Sequence, residues 1–206
     1  WYRYTNQIKR SKKVFVLTGT ASLISAEMFR KVKERKGTFY DEKSITEDFA
    51  LTIDLKEVGA RIISPISCYC TTEIMPNWRL LFLQRRRWYL GALQQIARRR
   101  WDCVLFPYVF QQLMLLISVV AFIGLIIFTI YLMAQDMIIF SFFWFLIGVI
   151  FAVERVITIW NQDRQAKLFA LMIFPELIYS LFLQIAYIGA LFQLLSGSAG
   201  TWNHLD

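Results

Sequence analysis

The sequence has little cysteine and almost no histidine. Its 206 residues include three cysteines, Cys68, Cys70 and Cys103, and one histidine, His204. Three cysteines at these spacings fit neither a zinc site nor the disulfide framework of a small secreted domain. We therefore expect the cysteines to be reduced packing residues, and we assign no function to His204.

Charge is missing from long stretches of the second half. Residues 103–135 and 137–153 contain no charged side chain, and Glu176 is the only charged residue in 168–205. An apolar run of about 20 residues is long enough to cross a hydrocarbon core of about 30 Å. The pattern predicts transmembrane helices near residues 105–134, 137–159 and 168–195.

The basic residues predict how these helices are oriented. Up to Asp102 the chain has 20 Lys and Arg against 10 Asp and Glu, and the remainder carries a net charge of −2. Because the cytoplasmic side of a membrane retains Lys and Arg, we expect the first half, with Arg164 and Lys167, to be cytoplasmic. The protein would be a multi-pass protein of the plasma (inner) membrane, meeting membrane lipid and no nucleic acid. The tail after residue 195 would then lie outside.

Charged and proline residues complicate the second and third predicted helices. Pro175 and Glu176 interrupt the third, which could instead begin as an interfacial or broken helix. The side of the membrane on which the tail lies would then not be predicted. Glu154 and Arg155 could line a path through the membrane, because charges inside a membrane usually face a cavity or each other. A local pair at the interface explains them as well. Glu176 has no basic neighbour in the sequence.

The first half alternates strand and helix signals, which predicts an α/β fold. Three strands with two helices in about 100 residues suggest the C-terminal part of a domain, and a chain that opens with Trp1 suggests a fragment of a longer protein. The predicted strands are residues 14–17, 61–64 and 68–74, and the predicted helices are 25–36, ended by Gly37, and one from Thr46 to Gly59.

The second of these helices begins with Thr46-Glu47-Asp48. The Thr46 hydroxyl is expected to accept hydrogen bonds from the free N–H groups of the first turn, and the two carboxylates suit the positive end of the helix dipole. A different kind of helix is predicted over residues 77–100, with an apolar side and a basic side that anionic lipid head groups would attract. The basic residues are Arg85, Arg86, Arg87, Arg98, Arg99 and Arg100.

Several motifs occur in a fixed order along the chain. Gly19 lies in Thr-Gly-Thr-Ala, Thr46-Glu47-Asp48 follows, and Gln84-x-x-Arg87-Trp88 precedes the apolar half. In this order the motifs resemble the C-terminal part of a processive family 2 glycosyltransferase, one of the membrane synthases of cellulose, chitin-like polymers, poly-N-acetylglucosamine and hyaluronan. The resemblance implies four regions: the C-terminal part of a cytoplasmic GT-A-like domain (1–76), an interfacial helix (77–103), transmembrane helices (104–195) and a tail (196–206).

The resemblance also implies roles for individual residues. Asp48, with Glu47 and Thr46, would form the catalytic group, in which Asp48 is the base that takes the proton of the acceptor hydroxyl. Gln84 and Arg87 would hold the nucleotide diphosphate. Trp88 would bind the acceptor sugar, since an indole is a flat apolar platform for a pyranose, and Gly19 and Thr20 would also lie on the acceptor side.

The implied reaction is inverting transfer from a UDP-sugar donor to a growing β-linked polysaccharide, which passes across the membrane. The family holds Mg²⁺ or Mn²⁺ with an Asp-x-Asp motif, which this sequence lacks, so we expect the metal ligands, and the rest of the catalytic domain, to lie N-terminal to it. Two alternatives are a nonprocessive transferase acting on a lipid-linked acceptor, and a basic membrane scaffold or transporter subunit in which Asp48 only caps a helix.

Overall fold

The computed structural model describes residues 14–17, 19–42, 44–64, 73–137 and 141–197. Within these ranges the chain divides into two compact units. We call residues 14–110 with 182–197 the basic unit, and residues 111–181 the apolar unit. The helices of the described residues are α1 Ala26–Lys36, α2 Glu47–Glu57, α3 Trp78–Arg98, α4 Phe106–Ala134, α5 Phe142–Thr158, α6 Arg164–Leu171 and α7 Ile173–Leu195.

Capping residues set the ends of α1 and α3. The Ser25 hydroxyl accepts a hydrogen bond from the Met28 N–H at 3.3 Å, and Gly37 ends α1 in the left-handed conformation with φ of 81°. At the start of α3, the Asn77 side chain accepts from the Leu80 N–H at 2.9 Å. These are the preferred residue types for the two kinds of helix end. The predicted helices over 25–36 and 77–100 are confirmed.

The predicted strands have a different outcome. Residues 14–17 form no strand, and residues 61–64 contain only a single bridge residue, Ile63. The third predicted strand falls largely outside the described residues. A lone extended segment has no neighbour with which to complete its hydrogen bonds, and residue Leu17 instead donates its N–H to the Thr52 hydroxyl of α2 at 2.9 Å. The α/β character is therefore unconfirmed.

Helix α2 is the central element of the basic unit. All seven residues from Phe49 to Leu55 are buried, so the helix is covered on every side. On one side Leu51 and Leu55 pack with Val32 of α1. Its other side packs against the start of α4, in a cluster made of Phe49, Ile53, Leu105 and Tyr108.

The C-terminal end of α2 is fastened to the first turn of α4. The Lys56 ammonium donates to the Phe15 carbonyl at 2.9 Å and to the Tyr108 hydroxyl at 2.7 Å. That hydroxyl in turn donates to the same carbonyl, also at 2.7 Å. Three chain segments therefore share one hydrogen-bonded junction.

A cluster of largely buried charges joins α1, α2 and the end of α3. Arg99 Nη1 lies 2.6 Å from Asp54 Oδ1 and 3.1 Å from Glu57 Oε1. Lys36 Nζ lies 2.8 Å from the same Asp54 oxygen. The side chains of Arg99, Asp54 and Glu57 are only 10%, 9% and 11% exposed. Arg99 therefore binds carboxylates within the protein, and the prediction that it serves lipid head groups is wrong.

Helix α7 returns to the basic unit. Ala190 is completely buried with Leu90 of α3 and Ile45, the residue before the Thr46 motif. Nearer the start of α3, Phe182 makes an edge contact with Trp78, with ring centroids 5.3 Å apart. Since α4 also begins inside this unit, the chain leaves the unit and comes back to it. The predicted position of the tail after residue 195, outside the membrane, stays a prediction.

Two helices of the described chain are long and apolar enough to cross a membrane. They are Phe106–Ala134, with a mean hydropathy of 3.0, and Pro175–Leu195, with 1.7. Helix α5 has 17 residues, which corresponds to about 25 Å at the usual helical rise. The predicted count of three crossings is thus unconfirmed.

The third predicted apolar helix is broken in two. Helix α6 ends at Leu171 and α7 begins at Ile173, so Pro175 lies in the first turn of a new helix, where proline is tolerated. Within the apolar unit Arg155 of α5 forms an ion pair with Glu176 of α7. Glu176 therefore does have a basic partner, although that partner is distant in the sequence.

We expect Arg99→Ala to destabilise the basic unit by about 3 kcal/mol, because it leaves the Asp54 and Glu57 carboxylates buried without their guanidinium. Arg98→Ala is the matched control, since Arg98 is an exposed neighbour on the same turn. Thermal unfolding of both variants in detergent micelles measures the difference. Equal midpoints for the two variants would show that the buried cluster contributes nothing to stability.

Candidate functional site

The first turn of α2 is built differently from a common helix start. Thr46 is the N-cap residue, but its hydroxyl makes no capping hydrogen bond and has no hydrogen-bond partner among the described residues. The predicted hydroxyl cap is therefore wrong. Asp48 satisfies a free donor of this turn instead, since its Oδ1 accepts from the Phe49 N–H at 2.7 Å.

The Thr46 side chain does not cap the helix because it packs against Gly91 of α3. A Cβ atom added to Gly91 would lie 2.3 Å from the Thr46 hydroxyl oxygen and 2.4 Å from its methyl carbon. No side chain fits in that gap, so glycine is required where the two helices meet. Sequence reasoning missed Gly91, although an isolated glycine inside a predicted helix is a signal of close packing.

Two polar anchors fix α3 beside α2. Gln95 is buried, and its side-chain amide donates to the Ser44 hydroxyl at 3.0 Å and to Asp41 Oδ2 at 3.1 Å. One turn later the Arg99 guanidinium binds the Asp54 carboxylate. Because residues three and four apart share one face of a helix, Gln84, Arg87, Trp88, Gly91 and Gln95 form a single stripe along α3.

Asp48 lies where this stripe meets the N-terminal end of α2. Its half-buried carboxylate is close to Gly19, where an added Cβ would lie 3.6 Å from Oδ2. Burial is the largest influence on the Asp48 carboxyl and raises its pKa above the ordinary value. The charge of neighbouring Glu47 raises this pKa further, while the hydrogen bond from Phe49 and the positive charge of Arg87 lower it.

Four of the residues singled out in the sequence are therefore brought together. They are Gly19, Thr46, Asp48 and Arg87, which come from three separate motifs. Glu47 lies beside Asp48 in the same turn, and Thr20 is exposed beside Gly19. Gln84 is half-buried on the α3 stripe, one turn before Trp88.

Trp88 is the exposed aromatic residue of the stripe. It is 43% exposed and follows Arg87 directly, so an indole surface and a guanidinium stand next to each other on α3. A carboxylate with a raised pKa is suited to accept a proton near neutral pH. A guanidinium is suited to an anionic oxygen, and an indole to the apolar face of a sugar.

Among the described residues, no group of three or more His, Cys, Asp or Glu side chains is placed to hold a metal ion. The expected Mg²⁺ or Mn²⁺ is therefore given no such ligand group by these residues.

Comparison with known proteins identifies the family. The family described as glycosyl transferase family group 2 matches residues 1–155, which include every motif of the site. No curated protein and no solved structure matches the chain. Because the matched residues make up about three quarters of the sequence, the chain belongs to glycosyl transferase family group 2.

Proposed function

We propose that this chain is the acceptor-side part of a membrane-embedded, inverting and processive glycosyltransferase, which elongates a β-linked polysaccharide from a UDP-sugar. The observation that carries the proposal is the position of Asp48, against Gly19 and in the helical turn whose N-cap Thr46 packs on Gly91, on the same stripe of α3 as the exposed Trp88. A scaffold in which Asp48 only caps a helix gives no reason for that half-buried carboxylate to lie against Gly19 of a second motif.

Each side chain then has one task. The Asp48 carboxylate takes the proton from the acceptor hydroxyl while the hydroxyl oxygen forms the new bond to the anomeric carbon. The bond from that carbon to the diphosphate breaks at the same time, and UDP leaves with the bonding electron pair. Arg87 and Gln84 stabilise the diphosphate as it gains charge, by a charge-assisted hydrogen bond and an amide hydrogen bond. Trp88 holds the acceptor sugar against its ring face.

The fixed geometry explains why the site needs little rearrangement. Gly91 lets α2 approach α3, and the Gln95 and Arg99 anchors hold α3 in register, so Asp48 and Arg87 keep their positions before the substrates arrive. Transition-state stabilisation is most effective when charges and dipoles are already oriented.

The membrane arrangement is part of the same proposal. We place the basic unit on the cytoplasmic face of the plasma (inner) membrane, where UDP-sugars are made available and where Lys and Arg are retained. Because α4 begins in this unit and α7 returns to it, we propose an even number of crossings. Arg164 and Lys167, which follow α5, favour crossings by α4 and α5, with α7 lying along α3 at the interface.

The first test replaces Asp48 by asparagine in the intact protein. The amide keeps the size of the side chain but cannot take the proton, so polymer synthesis should fall by about 10² to 10⁴-fold while UDP affinity stays unchanged. Incorporation from a panel of radiolabelled UDP-sugars, with equilibrium UDP titration, gives both quantities. Glu42→Gln, at an exposed neighbouring acid, is the control. Activity of the Asn variant within a few-fold of the parent would reject Asp48 as the base.

A second test uses the influence of Glu47 on Asp48. The base works only when deprotonated, so a raised pKa moves the acidic limb of the kcat/KM profile to higher pH. Glu47→Gln removes a charge that raises the Asp48 pKa, and the acidic limb should therefore move to lower pH. Glu42→Gln should leave it in place. An acidic limb of the kcat/KM profile that does not move in Glu47→Gln, or that moves to higher pH, would contradict the influence of Glu47 on Asp48.

A third test determines which helices cross the membrane. Single cysteines at Asp136, Gln165 and Ser196 are introduced after Cys68, Cys70 and Cys103 have been replaced. An impermeant maleimide added outside intact cells should label only the cysteine at position 136, and all three should react after permeabilisation. Labelling at 196 would contradict the return of α7. Labelling at 165 without 196 would mean that α7, and not α5, makes the second crossing.

A further inference from the structure

Arg85, which occupies a variable position of the Gln-x-x-Arg-Trp motif, covers one face of the Trp88 indole. Its guanidinium carbon lies 4.3 Å from the ring centroid. The two residues are three apart on α3, which is the spacing that places side chains side by side on a helix. A guanidinium that stacks on an indole is a cation–π contact, worth about 0.5 to 2 kcal/mol depending on its exposure to water.

The three consecutive arginines of α3 point in three different directions. The Arg87 guanidinium acts on Asp48. Arg86 lies over the Phe82 ring, 5.9 Å from its centroid, and its side chain reaches the position of Gly189 on α7. Arg85 contacts the Trp88 indole, so its guanidinium has a partner within the protein.

The burial of Arg85 also argues against a purely lipid-facing role. Its Nε atom is buried and has no hydrogen-bond partner among the described residues. Leaving a buried N–H unpaired costs about 1 to 3 kcal/mol. The side chain is nevertheless held against the ring, so the ring contact is what it provides here.

We propose that Arg85 is a positioning residue for the acceptor: it supports one face of Trp88, so that the sugar binds to the opposite face with its hydroxyl directed toward Asp48. This inference rests on the proposed function, in which Trp88 is the acceptor platform. An indole with both faces open could take a sugar on either side, whereas an indole with one face covered by Arg85 takes it on the other. Holding the ring in advance lowers the entropy lost when the sugar binds.

The ring contact is tested without any enzymatic assay. The protein is labelled with 5-fluorotryptophan, and the ¹⁹F resonance of Trp88 is assigned by its loss in Trp88→Phe. Arg85→Lys keeps the positive charge but loses the planar stack, so the Trp88 resonance should shift or broaden. Arg86→Lys is the matched control and should leave that resonance unchanged. An unchanged Trp88 resonance in Arg85→Lys overturns the proposed contact.

The role in acceptor binding is tested by kinetics on the same variants. Short oligomers cut from the polymer that the parent protein makes serve as acceptors. Arg85→Lys should raise the apparent KM for these acceptors by about 5 to 10-fold, as expected for the loss of one cation–π contact. The KM for the UDP-sugar and the affinity for UDP should be unchanged, and Arg86→Lys should behave like the parent.

The outcomes separate this inference from the proposed function. An acceptor KM in Arg85→Lys equal to that of Arg86→Lys overturns the positioning role, even where the ¹⁹F resonance moves. A loss of UDP affinity together with acceptor affinity also overturns it, because the effect would then be general damage to the site. An intact parent protein, tested with its whole catalytic domain, that transfers no sugar from any UDP donor rejects the proposed function and the acceptor role together, whereas the ¹⁹F result still decides the contact.

Discussion

The close contact between the start of α2 and Gly91 of α3 is the constraint on which the site depends. Without a Cβ at residue 91, the Thr46 side chain fits against the backbone of α3, and Asp48, two residues later, comes within the influence of Arg87. The Thr46 hydroxyl gives up its capping hydrogen bond in this arrangement. The N-cap of α2 thus lacks a side-chain hydrogen bond at the point where Thr46 packs against Gly91.

The ends of helices were predictable from the sequence because they depend on neighbouring residues. Ser25, Gly37 and Asn77 each act within one helical turn, and each was recognisable by residue type. The resemblance carried by the order of the motifs implied that Asp48 and Arg87 belong to one site, and this stays a prediction. Contacts between distant residues were not predictable in this way: the Arg99 cluster, the pair of Arg155 with Glu176 and the fit of Gly91 depend on how helices pack.

Predictions of strands and of membrane crossings likewise depend on contacts between residues that are distant in the sequence. Extended segments such as residues 14–17 have the composition of strands, but a strand also needs a partner, and the described residues supply none. Hydropathy likewise measures whether a helix could lie in lipid, and not what covers it. It could not show that α7 packs against α3 through Ala190 and Phe182.

The hydrogen bonds among Lys56, Tyr108 and the Phe15 carbonyl hold the C-terminal end of α2 in place. The helix is fastened to the first turn of the apolar helix α4 at its C-terminal end, and it has Asp48 in its first turn at the other end. At 1.5 Å per residue, the helix is a rigid rod about 16 Å long. A displacement of the first turn of α4 would therefore be transmitted along α2 to the Asp48 carboxylate.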